Sequence, residues 1–346
     1  MSAAMSKSDA GPLSAALVGL GWWGSRIART LQDSPVLRPV IGVDPSPEAR
    51  AVASERHGIP TAATLEEALT MADVDVVIIC SPHQQHAAQI ITAAEAGCHV
   101  FVEKPFTLNL DDCRRALQAV EAAGVQVGIG YERRFEPAVE ALSARCAAGD
   151  LGQLMLVEAN FSHDRFLALP SDSWRLSSQH APVGPLSATG IHLVDLAINL
   201  LGRPVEVWAS CSTLATSFEN GDALSVMMTF ESGATAHLNA VLATPFQGRL
   251  RVFGANEWVE IADRTHPDAA SGWDVTRATP AGAPETTFEA PFDSVRENLE
   301  RFGSWLLGGA PYPITPEQIQ LSVATSDAIM RSALHGGVQP VAEVLA

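Results

Sequence analysis

The sequence contains almost no lysine: Lys7 and Lys104 are the only lysines among its 22 basic residues, and the rest are arginines. Its five cysteines are scattered and form no C-x-x-C pair, which argues against both a disulfide framework and a thiolate zinc site. No stretch approaches the roughly 18 consecutive apolar residues that a membrane-spanning helix requires. These absences predict a soluble protein of a reducing compartment, and we expect a cytoplasmic location.

Basic charge is also scarce, since 39 acidic residues stand against the 22 basic ones and give a formal charge of −17. A surface this acidic repels phosphate backbones and anionic lipid headgroups. We therefore expect neither nucleic acid nor a membrane as partner, and we expect a small-molecule substrate instead. The 346 residues, 47% of them hydrophobic, have an ordinary globular composition and length for about two domains.

The first part of the chain predicts a nucleotide-binding domain. We expect a disordered tail over 1–13 and a dinucleotide-binding domain over 14–131, in which short apolar runs alternate with helical stretches. This alternation indicates a doubly wound α/β domain of the Rossmann type, with a parallel sheet covered on both faces. The candidate strands are 16–20, 37–43, 74–80, 99–103 and 125–130. The helix ends are marked by Ser46 and Pro47, by the capping pair Thr64 and Glu67, and by Gly97 and Gly124.

The remainder, 132–346, predicts a second α/β domain for substrate binding and oligomerisation. Its β-rich segments favour a largely antiparallel open sheet. They are 154–162, 205–213, 223–230, 234–241 and 248–253, with helices at 190–201, 295–307 and 316–335 and a long surface excursion at 265–290. We expect the active site in the cleft between the domains. Because an open sheet needs its exposed face covered, we also expect a homodimer or homotetramer.

A glycine motif marks the first turn from strand to helix. Gly19, Gly21 and Gly24 fit G-x-G-x-x-G, in which the first glycine allows a tight turn, the second lets a pyrophosphate approach and the third permits close helix packing. Asp44 ends the second strand, where its carboxylate can bind a ribose 2′-hydroxyl and repel a 2′-phosphate. No basic residue follows it in 45–47, so the pattern favours NAD over NADP. The alternative is a glycine turn that binds another ligand or none.

Four aromatic or imidazole side chains in this domain each have two interpretations. Trp22 and Trp23 lie inside the glycine motif and either approach the nicotinamide or pack the first helix, with packing as the default. His83 and His86 are three residues apart at the start of a helix, but a metal site would need two more ligands, and the sequence indicates none. We therefore predict no metal and favour a structural role for His86.

The isolated Lys104 stands in Glu103-Lys104-Pro105, at the C-terminal end of strand 99–103. Ligands bind at this edge of an open α/β sheet. A lysine there can act as an acid/base if burial and a positive nicotinamide ring lower its pKa toward neutrality. The alternative is a solvated loop lysine, which is less favoured because the other surface cations are arginines. We expect Glu103 to position Lys104, and Pro105 allows a cis peptide.

His192 and Asp195 open the helix of the second domain, three residues apart on one face. A carboxylate beside an imidazole can fix its tautomer, so His192 could bind a substrate hydroxyl or relay its proton. The alternative is a packed histidine followed by a capping aspartate.

The motifs together resemble the Gfo/Idh/MocA oxidoreductases, the family of glucose-fructose oxidoreductase and inositol dehydrogenase, over nearly the whole chain. They are Gly19-x-Gly21-x-x-Gly24, Ser81-Pro82-x-x-x-His86, Ala96-Gly97-x-His99-Val100-x-x-Glu103-Lys104-Pro105, Tyr131-x-x-Arg134-Phe135-x-Pro137 and Gly190-x-His192-x-x-Asp195. The resemblance implies an NAD(P)-dependent dehydrogenase of a cyclic polyol or sugar-like alcohol, with Lys104 as catalytic lysine and His192 as active-site histidine. The predicted cofactor-binding residues are Gly19, Gly21, Trp22, Trp23, Gly24, Asp44, Ser81, Pro82, His86, Glu103 and Lys104.

One position departs from the family pattern, because Ala188 stands where the family usually has an aspartate four residues before the histidine. Without that carboxylate, one hydrogen bond to a substrate hydroxyl is missing, and inositol-type chemistry is less favoured. The departure leaves open an NAD-retaining lyase, hydrolase or epimerase, or a redox-silent binding protein.

Arginines at three places suggest how a substrate could be held. Arg133 and Arg134 follow strand 125–130, Arg165 follows His163, and Arg175 follows Trp174. An arginine can hold a carboxylate through two parallel bonds, or it can pair with local acids such as Glu132, Glu136 and Asp172. The predicted substrate-binding residues are Arg134, His163, Arg165, Trp174, Arg175 and His192. The substrate classes left open are a sugar, a cyclitol and a carboxylated cis-dihydrodiol.

Overall fold

The computed structural model describes residues 11–343. The strands are β1 (Leu13–Val18), β2 (Leu37–Val43), β3 (Thr61–Ala62), β4 (Val76–Ile79), β5 (His99–Val102), β6 (Val127–Ile129), β7 (Leu154–Ser162), β8 (Pro204–Ser212), β9 (Ala223–Phe230), β10 (Thr235–Val241), β11 (Gln247–Gly254), β12 (Trp258–Asp263), β13 (Trp273–Ala278), β14 (Glu285–Glu289) and β15 (Gln339–Pro340). The helices are α1 (Trp22–Thr30), α2 (Pro47–His57), α3 (Leu65–Met71), α4 (His86–Glu95), α5 (Leu110–Ala123), α6 (Pro137–Ala147), α7 (Ile191–Leu201), α8 (Ser294–Leu306) and α9 (Pro316–His335). No helix within 11–343 combines the length and the apolar character needed to cross a membrane.

The described chain divides into two compact units, 11–132 with 294–319 and 133–293 with 320–343. The division differs from the sequence prediction in one segment, because α8 belongs to the first unit rather than to the second. The ring centroid of Phe302 in α8 lies 5.7 Å from that of Phe101 in β5. Gly303 lies so close to β2 that a Cβ would come within 2.9 Å of Leu37. The helix therefore covers one face of the first sheet.

The first unit is the predicted doubly wound domain. Its sheet has the order β3-β2-β1-β4-β5-β6, and all neighbouring strands are parallel. Strand β2 has the predicted bounds, whereas β3 was not predicted because two residues show no periodicity. The predicted disordered tail, 1–13, overlaps β1 at Leu13, and its first ten residues lie outside the described residues.

The predicted helix ends of this unit are present. The Ser46 hydroxyl accepts a hydrogen bond from the Ala49 N–H at 3.1 Å, and Pro47 occupies the first turn of α2. Thr64 accepts one from the Glu67 N–H at 3.2 Å. Gly124 ends α5 in the left-handed region, with φ of 66°. These local signals set where each helix starts and stops, and so which loops meet the strand ends.

The second unit contains a sheet of order β14-β13-β12-β11-β7-β10-β9-β8-β15. Only β7 and β10 pair in parallel among the described neighbours, so the predicted antiparallel character is confirmed. α7 packs against β7 and β10. The opposite face exposes Trp208 and Met227, which pair across β8 and β9 and are 40% and 42% exposed. The expected dimer or tetramer stays a prediction.

The predicted surface excursion at 265–290 was wrong, because this segment contains β13 and β14. These strands extend the sheet from β12, with Val275 opposite both Ile261 and Thr287. The pattern hides them, since every residue of the edge strand β14 is exposed and no apolar alternation results. Strand β12 and helix α6 were also not predicted.

Candidate active site

The turn between β1 and α1 leaves no space for a side chain at its first or third glycine. Gly19 has φ of +88°, and a Cβ there would lie 2.7 Å from the Cys80 carbonyl carbon. A Cβ on Gly24 would lie 1.9 Å from the Gly19 oxygen, which is less than any contact allows. Gly21 differs from both, because its Cβ would meet nothing within 4 Å. The first and third glycines therefore close the turn, and the second leaves open space above it.

The N-terminus of α1 is available to an anion. Gly21 caps the helix without a side chain, and the first turn carries no acidic residue. Its N–H groups and the helix dipole therefore face the space above Gly21, an arrangement that fits a pyrophosphate. Trp22 is 62% exposed, so the packing interpretation was wrong for it. Trp23 is half-buried, with the Arg26 guanidinium carbon 4.9 Å from its ring centroid.

Asp44 lies at the end of β2, beside the glycine turn. Its Oδ2 accepts a hydrogen bond from the Leu20 N–H at 2.9 Å, and its Oδ1 accepts one from the Ser46 N–H at 2.9 Å. The carboxylate is thus fixed in place before any ligand binds. Arg50 donates to the main-chain oxygens of Asp44 and Pro45 at 2.8 and 3.0 Å. Arg50 was not predicted, because it lies beyond the three residues that follow Asp44 in the sequence.

The loop that carries Lys104 is tied to the neighbouring strand by His86. Its Nδ1 lies 2.8 Å from the Pro105 oxygen and its Nε2 lies 3.0 Å from the Ser81 oxygen. The imidazole is fully buried, so the structure favours the structural interpretation over direct cofactor contact. The Lys104-Pro105 peptide is cis, as the sequence allowed. Lys104 itself is partly exposed at the C-terminal edge of the sheet.

A buried carboxylate lies beside this lysine. Glu103 is 7% exposed, and Gly130 makes room for it, because a Cβ on Gly130 would lie 2.4 Å from the Glu103 Oε2. Burial raises the pKa of Glu103 to about 7. Trp23, Lys104 and Arg26 all act in the opposite direction, although the indole N–H of Trp23 completes no hydrogen bond.

Glu132 is a second carboxylate of this site, which the sequence analysis considered only as a partner for arginines. Burial and the nearby Glu103 raise the pKa of Glu132 to about 7, whereas Lys104 and Arg26 lower it. Two carboxyl groups near one ammonium group do not both ionise easily in a desolvated place. The only sequence signal for Glu132 was its position between strand 125–130 and the arginine pair. Within 11–343, no three His, Cys, Asp or Glu side chains could hold a metal ion.

In the second unit, a strained loop leads into the helix that carries His192. Val183 has φ of 52°, which is rare for a β-branched residue, and a π-helical turn, Leu186–Gly190, follows it. Asn220 fixes this loop by donating to the main-chain oxygens of Arg175 and Ala181, each at 2.8 Å. The turn contains Ala188, which is partly exposed. Strain and π-helical turns cluster at functional sites.

Most arginines predicted to bind substrate are neutralised by acids. Arg134 holds Asp195 through two parallel hydrogen bonds of 2.8 and 2.6 Å. Arg165 pairs with Asp268. Neither is thus an uncompensated clamp for a substrate carboxylate, because a buried or half-buried guanidinium takes a counter-charge from within the fold. Asp195, which we expected to orient His192, uses both carboxylate oxygens on Arg134.

Arg133 and Arg175 differ most in the number of carboxylates that they pair with. Arg133 pairs with both Glu136 and Asp263, at 3.0 and 2.7 Å. Arg175 stacks on Trp174, with 4.4 Å from its guanidinium carbon to the ring centroid. No acidic residue in the described part of the chain forms an ion pair with Arg175, and burial lowers its pKa.

His192 adjoins an aromatic cluster that the sequence analysis recognised only in part. Its ring centroid lies 6.1 Å from that of Phe161, which also contacts His266 and Phe246. His163, a predicted substrate residue, lies in the same cluster. His266 and Phe246 were missed because both stand in loops whose sequence has no periodicity.

A doubly wound unit with an open glycine turn, joined in one chain to a mostly antiparallel sheet, defines the class of two-domain NAD(P)-binding oxidoreductases. Residues 13–131 match the family model for an oxidoreductase family with an NAD-binding Rossmann fold. Residues 139–260 match the GFO/IDH/MocA C-terminal domain. The chain belongs to the Gfo/Idh/MocA family, as the sequence resemblance predicted.

Several relatives are named for sugars or cyclitols. The chain is 32% identical over 293 residues to D-xylose 1-dehydrogenase (NADP(+)) 2 of Haloferax volcanii, covering 84% of this chain and 88% of the relative. It is 30% identical over 243 residues to scyllo-inositol 2-dehydrogenase (NAD(+)) of Bacillus subtilis, covering 68% and 69%. The solved aldose-aldose oxidoreductase from Caulobacter crescentus is 27% identical, with a TM-score of 0.83 over 95% of this chain and 99% of that one.

Substitution of Gly24 should mainly affect folding stability, whereas substitution of Gly21 should mainly affect cofactor binding. Gly24→Ala should lower Tm by roughly 5 °C or more, because the new Cβ meets the Gly19 carbonyl although alanine otherwise favours a helix. Gly21→Ala should leave Tm nearly unchanged but weaken NADH binding roughly tenfold, because its Cβ fills the open space. Thermal unfolding and NADH fluorescence titration measure the two effects. Equal affinity in Gly21→Ala and the wild type would contradict the assignment of that space.

Glu132→Gln should stabilise the protein only at high pH. In the folded state the carboxyl keeps its proton up to about pH 7, whereas in the unfolded state it ionises near its ordinary value of 4.5. Folding stability is therefore lost as the pH rises through this window, and glutamine removes the loss. We expect Tm to rise by roughly 2–4 °C at pH 8.5 and to stay unchanged at pH 4.5. The exposed Glu55→Gln is the control, and a gain equal at both pH values would contradict the assignment.

Proposed function

We propose that the protein is an NAD-dependent dehydrogenase that oxidises a secondary hydroxyl of a cyclic diol or polyol. The observation that supports it most directly is the placing of Lys104 at the ligand edge of the sheet, near the buried Glu103 and the half-buried Glu132. The bound nicotinamide cofactor supplies the hydride acceptor. Lys104 takes the proton of the reacting hydroxyl as general base.

Glu103 and Glu132 change the electrostatic potential at the side chain of Lys104. Both change charge near pH 7, so both respond in the range where an acid/base group must work. When ionised they stabilise the ammonium form of Lys104, and when protonated they leave it easier to deprotonate. When Lys104 takes up a proton beside one ionised carboxylate, the net charge of the cluster changes from −1 to zero, so no unmatched positive charge is left in a desolvated place.

His192 is the group that we propose binds the reacting or the neighbouring oxygen. It is 3% exposed and stands in the first turn of α7, directly after the π-helical turn. The Arg134–Asp195 pair fixes that turn of the helix to segment 132–135. The pair therefore positions His192 through the backbone, and substrate need not contact Arg134.

NAD is the cofactor that Asp44 favours. Its carboxylate is fixed at the end of β2, where it would accept from a ribose 2′-hydroxyl and repel a 2′-phosphate. The relatives include one NADP-dependent and one NAD-dependent enzyme, so the family alone does not decide. Arg50 is a cation beside Asp44, and its Nη1 donates to two main-chain oxygens of the β2–α2 loop.

A second candidate follows from Ala188, which removes a carboxylate that family members usually have. A lyase, hydrolase or epimerase would use bound NAD transiently and return it unchanged. Absorbance of NADH during turnover with excess NAD⁺ separates the two, because a net dehydrogenase accumulates NADH in proportion to product. Product formation at constant absorbance would favour the second candidate.

Lys104→Ala should lower kcat by roughly 10² or more, because it removes the acid/base group. NADH affinity should change by less than about threefold, because the glycine turn and Asp44 are intact. Steady-state kinetics and NADH titration of the same preparation measure both. The exposed Arg115→Ala is a control for loss of a cation, and an equal loss of affinity and turnover in Lys104→Ala would mark the lysine as structural.

Asp44→Ser should shift preference toward NADP, because serine keeps an acceptor for the Leu20 and Ser46 N–H groups and removes the charge. We expect the ratio of kcat/KM for NAD to that for NADP to fall by roughly 10². The exposed Asp111→Ser should leave the ratio unchanged. An unaltered ratio in Asp44→Ser would remove Asp44 from cofactor selection.

A further inference from the structure

His266 completes an aromatic cluster within the second unit. Its ring centroid lies 5.6 Å from that of Phe161, 5.5 Å from that of Phe246 and 5.3 Å from that of His163. Phe161 is the ring that also contacts His192. The proposed substrate histidine and His266 therefore flank one phenyl ring. The partly exposed Phe246 opens the cluster to solvent.

The hydrogen bonds of the cluster assign the tautomers of two histidines. The Asp268 N–H donates to His266 Nδ1 at 3.2 Å, and the Arg165 N–H donates to His163 Nδ1 at 3.2 Å. In a neutral imidazole whose Nδ1 accepts, the proton is on Nε2. Burial lowers the pKa of His266 to about 4, with Arg165, His163 and Arg133 acting in the same direction and Asp268 against them. The ring is thus a neutral donor near pH 7.

His266 Nε2 is available to a ligand. The side chain is 14% exposed. Within 11–343, none of the polar contacts of the His266 side chain uses Nε2, because its hydrogen bond and its ion-pair contact both involve Nδ1. A donor at the mouth of an apolar cluster is the arrangement that ligand sites use to fix orientation.

The two arginines beside the cluster are paired with carboxylates of the fold. Arg133, whose guanidinium carbon lies 5.1 Å from the Phe161 centroid, is matched by two carboxylates, those of Glu136 and Asp263. Arg165 is matched by Asp268. Neither guanidinium group is thus left uncompensated for a carboxylate on the substrate.

We propose that His266 is a specificity-determining residue that donates Nε2–H to a hydroxyl of an uncharged, polyhydroxylated ring, with Phe161 and Phe246 against its C–H face. The proposal rests on the proposed function, since it assigns the substrate class of the same site. It favours a neutral sugar or cyclitol over a carboxylated cis-dihydrodiol. His163 supports the same ring as a second neutral imidazole.

Two substitutions divide the functions of the two imidazole nitrogens. His266→Asn keeps an oxygen near the position of Nδ1, which can still accept from the Asp268 N–H, but it lacks the Nε2 donor. His266→Gln places an amide N–H near the position of Nε2. The exposed His335→Gln is the matched control. The probes are D-xylose, D-glucose and myo-inositol, with D-glucuronate as the anionic counterpart of D-glucose.

Binding of each probe to the NADH-loaded protein is measured by calorimetry, and turnover with NAD⁺ is measured separately. We expect at least one neutral probe to bind more tightly than D-glucuronate, and His266→Asn to weaken that binding roughly tenfold or more. In turnover KM should rise by a similar factor with kcat nearly unchanged, and His266→Gln should recover part of the loss. Wild-type affinity in His266→Asn, tighter binding of D-glucuronate, or no binding of any neutral probe would each overturn the proposal.

The two readouts keep this proposal distinct from the dehydrogenase proposal. If His266→Asn weakens binding but the wild type forms no NADH, the dehydrogenase proposal is contradicted and the subsite proposal is supported. If both proteins form NADH with the same KM, the dehydrogenase proposal is supported and the subsite proposal is contradicted. A loss of Tm in His266→Asn larger than in His266→Gln would place the effect in folding and overturn the subsite.

Discussion

The approach of α1 to β1 is the constraint on which the first unit depends. The Gly24 α-carbon lies against the Gly19 carbonyl with no space for a methyl group, and Gly19 takes a backbone conformation that other residues rarely adopt. β1 is central in the sheet, between β2 and β4. The tight turn therefore brings the start of α1 over the strand ends where Asp44, Ser81 and Lys104 lie. A looser turn would change the position of the anion-binding helix end relative to all of them.

A second constraint is the treatment of buried charge, which differs between the units. In the second unit, buried Arg133 and Arg134 are each matched by carboxylates at hydrogen-bond distance. In the first unit, Glu103 and Glu132 are desolvated near one partly exposed lysine, and their pKa values are raised rather than lowered. Matched pairs hold a fold in one geometry, whereas groups that titrate near pH 7 are costly to stability and suited to proton transfer. We therefore interpret the matched pairs of the second unit as structural and the two carboxyl groups of the first unit as candidates for proton transfer.

Much of the fold was predictable because its signals are local. The bounds of β2, β7 and β9 follow from apolar runs or alternation, and those of α9 from its flanking pattern. Long-range contacts account for what was missed. α8 packs on the first sheet through Phe302, and no feature near α8 in the sequence specifies that partner. β14 pairs with β13 although all its residues are exposed, so the backbone ladder and surface contacts such as the 2.8 Å hydrogen bond between the Thr276 and Thr286 hydroxyls hold it.

In the candidate site, too, the features that could be predicted are local in sequence, and those that could not are long-range contacts. Glycine spacing and the Glu103-Lys104-Pro105 motif are short-range patterns, and they were visible before the structure. The partners of the arginines were not, because Asp195 is 61 positions from Arg134 and Asp268 is 103 from Arg165. Once these pairs close, Arg134 and Arg165 are compensated within the fold, whereas Arg175 forms no ion pair in the described part of the chain.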